Sequence, residues 1–178
     1  MSFNVDRSKK AQFSSGDVPP GTVCMSCFIA VNDGEGGLLT GRMDHLDIWL
    51  DRFFMSPLTG PAYVASGKLV LPASHLFWYE SPLDAAERIL KEMALIDNVP
   101  KDHIKLVDVQ SHLRPGFKDP SIPHWDICVL YKVDSYKGKI KQPKWFKDFG
   151  FKPNLKAGDF TRGHGDVLEE AGLLLEKQ

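Results

Sequence analysis

The apolar positions of the chain fall into short runs punctuated by Gly, Pro, Asn and Asp. Val23 to Val31 (VCMSCFIAV) is β-branched, sulfur-containing and aromatic, the composition of a buried strand. Asn32-Asp33-Gly34 and two more glycines follow, then Leu38-Leu39-Thr40. This pattern predicts two strands joined as a hairpin by a Gly-rich turn. Residues 43 to 66 admit two readings. Leu46, Trp49, Leu50 and Phe53 suit a helix, whereas Leu46, Ile48 and Leu50 suit a strand, and Pro57 and Pro61 end either one. A short apolar run from Lys68 to Pro72 comes next.

Ser81-Pro82-Leu83-Asp84 is a helix start: Ser81 can cap, Pro82 suits the first helical position, and Asp84 stands where a capping-box acid belongs. The helix is predicted to run to about Ile96, with Leu83, Ala86, Ile89, Leu90 and Met93 on its apolar face. Asp84, Glu87, Arg88, Lys91 and Glu92 share the polar one. Two strands follow, Ile104 to Val109 and Trp125 to Val133, separated by a Pro- and Gly-containing loop from Arg114 to Pro123. Asp166 to Glu176 reads as a last helix. Residues 1 to 20 are polar and end in Pro19-Pro20, which predicts a flexible or edge segment. The order of elements predicts one α+β domain over residues 21–178, built on a mixed sheet.

Composition narrows the classes. With 178 residues the chain can bury a core without disulfides or a structural metal. Apolar residues at 43% and charged ones at 25% exclude wholesale disorder. A net charge of -1 argues against a duplex-binding face. No apolar run has the length of a membrane helix, and the first residues have no apolar signal core. Three cysteines are too few for a disulfide scaffold, which suggests a cytoplasmic, reduced protein.

The stretch Leu71 to Leu95, LPASHLFWYESPLDAAERILKEMAL, resembles the Nudix box. The family pattern is a Gly, five residues, a Glu, seven residues, Arg-Glu-apolar-any-Glu-Glu, and a Gly two positions on. Here Glu80, Arg88, Leu90 and Glu92 match, and Leu71-Pro72, His75 and the upstream strand pair look like common neighbours. The departures are Ala73-Ser74 for a Gly-Gly pair, Ile89 and Met93 where two helix glutamates belong, and Leu95 for the closing Gly. The element order matches over about residues 22–134. The resemblance implies a mixed sheet sandwiched between helices (α/β/α). It also implies hydrolysis of a nucleoside-diphosphate-linked small molecule with Mg²⁺ or Mn²⁺, and a homodimer. It makes Glu92 the main metal ligand and catalytic residue, Arg88 the group that orients Glu92, Glu80 a supporting carboxylate, and His75 a substrate neighbour in the box loop.

Hard divalent ions want several oxygen ligands, and neither Ile89 nor Met93 can supply one. The box therefore predicts weak metal affinity unless Glu80, Asp84, Glu87, Asp108 or Asp119 helps. Two readings stay open: a weak or altered hydrolase, and an inactive Nudix-fold module that binds a nucleotide-like ligand. For the other candidates the bland readings lead. Asp84, Glu87 and Lys91 read as a solvated face. Cys24 and Cys27, three apart on a strand, and Cys128 read as core. His112 and His124 flank the Pro-Gly loop without metal-site spacing. Residues 132–162 carry nine Lys and Arg against three Asp, interleaved with Tyr136, Trp145, Phe146, Phe149, Phe151 and Phe160. That basic aromatic extension, about residues 135–165, suits either a nucleotide or packing of its rings on the sheet. Thr161-Arg-Gly-His-Gly165, before the last helix, is a weak anion-binding signal.

Overall fold

The computed structural model describes residues 23–53, 55, 60–77, 79–114, 123–161 and 163–174. The N-terminal segment, Asp119 and Arg162 lie outside them. Strands β1 (Val23–Val31) and β2 (Leu38–Met43) lead into helices α1 (Leu46–Asp51) and α2 (Gly60–Ser66). Short strands β3 (Leu69–Val70) and β4 (Ala73–His75) precede helix α3 (Pro82–Arg88). Then come β5 (Lys105–Arg114), β6 (His124–Val133), β7 (Phe146–Lys152) and helix α4 (His164–Glu170).

The strands form two sheets rather than one. A mixed four-stranded sheet has the order β4-β1-β6-β5, and a three-stranded sheet the order β3-β2-β7. The expected hairpin is therefore corrected. β1 and β2 flank a glycine turn, but the link between them is the single bridge Asn32–Leu38. β1 runs parallel to β6 and antiparallel to β4, while β2 pairs with β3 and β7. The turn explains the divergence. The Asp33 carboxylate accepts from the Glu35 and Gly37 amides at 2.8 and 2.9 Å, and Gly34 and Gly36 adopt φ of 83° and 91°. That wide, side-chain-closed loop sends β2 into another sheet instead of back along β1.

Apolar residues of both kinds of element bury two cores. On one face of β1 and β6, Ile29, Val31, Val129 and Val133 pack with Ala86, Ile89, Leu90 and Met93. On the other face, Phe28, Ala30 and Leu130 pack with Val167 and Leu168 of α4. The layered arrangement is the expected one. The basic aromatic extension follows its packing reading: Trp145, Phe146, Phe149 and Phe160 are buried, with β7 itself a sheet strand, and Lys147 lies in solvent. The ambiguous stretch after β2 yields helices, because Trp49 is drawn into the core by rings at centroid distances of 5.1 Å from Phe53 and from Phe146. The last helix starts at His164, two residues earlier than expected, since His164 is itself buried.

Candidate functional site

Ser81 caps α3 as its sequence requires: its hydroxyl accepts from the Asp84 amide at 3.2 Å and donates to the Asp84 carboxylate at 2.7 Å. The helix is α-helical only to Arg88. From Ile89 to Met93 it widens into a π-turn, in which the Ala94 amide bonds the Ile89 carbonyl five residues back at 3.0 Å. It stops at Leu95, whose φ of 55° is left-handed. A glycine is favoured in that conformation, which is the residue the box pattern has there. The single α-helix expected to Ile96 is thus corrected. A π-turn shifts the angular spacing of everything after Arg88, including Glu92.

Arg88 and Glu80 form the organising contact. Arg88 Nε and Nη2 donate to Glu80 Oε1 and Oε2 at 2.6 and 2.8 Å. The two side chains are 8% and 5% exposed, so Arg88 is not on the solvated helix face its spacing suggested. Its remaining donors reach the His75 carbonyl at 3.0 Å and the Ser74 hydroxyl at 3.4 Å. Its guanidinium lies 4.1 Å from the Phe77 ring centre. Glu80 Oε2 also accepts from the Phe77 amide at 3.0 Å. The glutamate that Arg88 holds is therefore Glu80, which corrects the expectation that it orients Glu92, and the pair ties β4 and the loop after it to the helix.

Glu92 is half-buried and lines an open cleft of about 450 Å³. Arg88, Ile89 and Met93 form the helix side of this cleft, Phe77 the loop side, and Asp51, Arg52 and Phe53 the opposite wall at the end of α1. Those last three residues were not visible as site residues in the sequence. The signal was the helical reading of residues 46–53, which places the positions after Leu50 at a helix end. Arg52 is exposed, and its guanidinium lies 4.6 Å from the Trp145 ring centre and 5.5 Å from that of Phe53.

His75 contributes its backbone: it pairs with Ser26 in the sheet and receives Arg88 at its carbonyl, and its ring is not among the groups lining the cleft. Asp84 and Glu87 turn away to Lys101, at 3.4 and 2.7 Å. Asp108 sits on β5, accepting from Gln110 at 2.9 Å. His112 approaches Gln110 and Glu170 at 3.4 and 3.8 Å, joining β5 to α4. Cys24, Cys27 and Cys128 are buried, and burial pushes the Cys27 thiol up to about 12. A thiol so raised is no nucleophile.

A hard divalent ion needs oxygen donors in one place. Ile89 and Met93 are 1% and 2% exposed in the core, where acids would have to be desolvated. Both Glu80 oxygens are engaged by Arg88. Glu92 and Asp51 are the carboxylates lining the cleft, and no group of three or more metal-binding side chains occurs among the described residues. The residues present do not fit an octahedral site of the family kind.

No protein-family profile and no curated protein matches the chain. Solved structures do. A MutT protein from Methanosarcina mazei aligns with a TM-score of 0.58 at 13% identity, over 87% of this chain and 96% of the other. The Nudix domain of Shewanella oneidensis NrtR, crystallised with ADP-ribose, aligns at 0.51 and 14% identity, over 83% and 85%. A bifunctional NMN adenylyltransferase/ADP-ribose pyrophosphatase from Francisella tularensis, complexed with AMP and a manganese ion, aligns at 0.54 and 15% identity. That match covers 88% of this chain but 43% of the larger protein. Among the described residues no helix is long and apolar enough to cross a membrane. The α3 strand-loop-helix unit, the buried Arg88–Glu80 pair and these structural matches agree on one conclusion: this chain has the Nudix fold.

Proposed function

We propose that the chain is a Nudix-fold module that binds a nucleoside-diphosphate-linked small molecule in the Glu92 cleft, with hydrolysis slow or lost. The observation that carries this reading is the burial of Ile89 and Met93 in the positions where the box has metal-binding glutamates. The framework of the motif survives in Glu80 and Arg88, and so does the concavity, at about 450 Å³, within the range of small-molecule sites. What is missing is the donor set that would neutralise a diphosphate and activate water. Supporting the ligand class, two proteins of the same fold were crystallised with ADP-ribose and with AMP.

A second reading has one specific observation in its favour. Asp51 and Glu92 are both carboxylates of the same cleft, so a weakly held Mg²⁺ or Mn²⁺ would find donors in Glu92 and Asp51. The first experiment follows. ADP-ribose and a nucleotide sugar are titrated calorimetrically with EDTA, Mg²⁺ or Mn²⁺, and product release is assayed in parallel for wild type and Glu92→Gln. Binding that persists in EDTA, without turnover that depends on Glu92, supports the binding module. Metal-dependent turnover abolished by Glu92→Gln supports the hydrolase.

A further inference from the structure

From the geometry of the cleft we infer that Arg52 is its phosphate-holding group, a guanidinium standing in for the charge a metal would supply. This inference rests on the binding reading above and adds which side chain recognises the diphosphate. Three observations carry it.

The first is position. Arg52 follows α1 directly, its amide closing the helix on the Ile48 carbonyl at 2.9 Å, and its side chain lines the same cleft as Glu92. The second is packing. The guanidinium lies 4.6 Å from the Trp145 ring centre, and Trp145 is itself fixed by a 2.9 Å bond from its indole nitrogen to the Met93 carbonyl. A guanidinium resting on an aromatic ring keeps its in-plane N–H donors available, because the ring occupies a face and not the donor edge. The third is charge balance. Arg88, the other arginine of the cleft, is consumed by Glu80, whereas no carboxylate pairs with Arg52 among the described residues. An exposed planar fork held by rings, beside a concavity, is suited to two phosphate oxygens at once. The carboxylate of Asp51 beside it would repel a bare diphosphate, so the cation has to meet the phosphates directly.

The test uses the full chain in EDTA and three probes: ADP-ribose, ADP and adenosine. Wild type, Arg52→Gln and Arg52→Lys are compared by calorimetry, with thermal melting as the check on folding. Arg52→Gln is expected to weaken ADP-ribose and ADP binding by about tenfold or more, from loss of a charge-assisted bidentate contact. Adenosine, which has no phosphate, should bind wild type and Arg52→Gln alike. Arg52→Lys should recover part of the loss, keeping the charge without the fork. Unchanged affinity of Arg52→Gln for ADP-ribose, with wild type binding it, would overturn the role of Arg52 while leaving the binding module standing. An equal loss for adenosine would also overturn it, since Arg52 would then act on the nucleoside. Failure of wild type to bind any of the probes would overturn the binding reading itself.

Discussion

Arg88 meets Glu80 through two donor–acceptor contacts, 2.6 and 2.8 Å long, with both side chains almost wholly out of solvent. They lie eight residues apart, and the pair closes the loop between β4 and α3. The pair is bonded to the Phe77 amide and the His75 carbonyl as well, so it anchors that loop on the helix.

Breaking that pair leaves an uncompensated charge in the interior. Glu80→Ala should destabilise the fold by about 3–5 kcal/mol in denaturant melts. Exposed pairs such as Lys101–Asp84 should give less than about 1 kcal/mol when cut. Equal small losses at both places would mean that the loop is held by something other than this pair.

Leu95 offers an inverted substitution. At its φ of 55° the chain prefers glycine. Leu95→Gly should be more stable than Leu95→Ala by about 1 kcal/mol, the reverse of the order at ordinary helical positions. Comparing the two small residues cancels the packing that Leu95 itself contributes. A more stable alanine variant would show that the turn after the π-segment relaxes out of the left-handed conformation.

His164 makes stability depend on pH. Its ring is buried against Phe28, its Nδ1 accepts from the Leu71 amide at 3.0 Å, and burial drives its pKa down to about 3. The unfolded chain binds the proton near its ordinary value of 6.5 and the folded one does not. Stability contributed by neutral His164 is therefore complete above about 6.5 and falls as pH drops from there towards 3. His164→Gln should flatten that part of the stability–pH curve, measured by urea melts across the window. The same slope in both proteins would assign the acid sensitivity elsewhere.

Restoring the missing acids tests why the box is altered. Ile89→Glu and Met93→Glu each place a carboxylate where the native side chain is 1% or 2% exposed. Each should cost about 3 kcal/mol or more without metal, given the penalty of burying an unpaired charge. If either variant is as stable as wild type, the cleft opens further than this packing suggests, and a metal site becomes accessible there.

Local signals carried much of this structure. Ser81, Pro82 and Asp84 act within one helical turn, so the start of α3 was legible, as were the core faces of β1 and β6 in their apolar runs. The framework of the site, Glu80 and Arg88, was legible through the spacing of the box. Three things were not. The split into two sheets depends on which strands meet across more than a hundred residues, as β2 and β7 do, and no local pattern encodes that. The π-turn after Arg88 leaves no local mark, because Ile89, Leu90 and Met93 follow an ordinary helical stripe. The far wall of the cleft, Asp51 to Phe53, acquires its role only when Trp145, over ninety residues on, is packed against it.

In the proposed function, the Glu92 cleft takes the ligand without a metal. Amide chemical-shift mapping of the labelled protein with ADP-ribose in EDTA tests it most directly. Perturbations are expected to concentrate at Asp51 to Phe53, Phe77 and Arg88 to Met93. Shifts centred instead on a separate concavity lined by Asn32, Lys132 and Lys152, or appearing only when Mn²⁺ or Mg²⁺ is added, would contradict it.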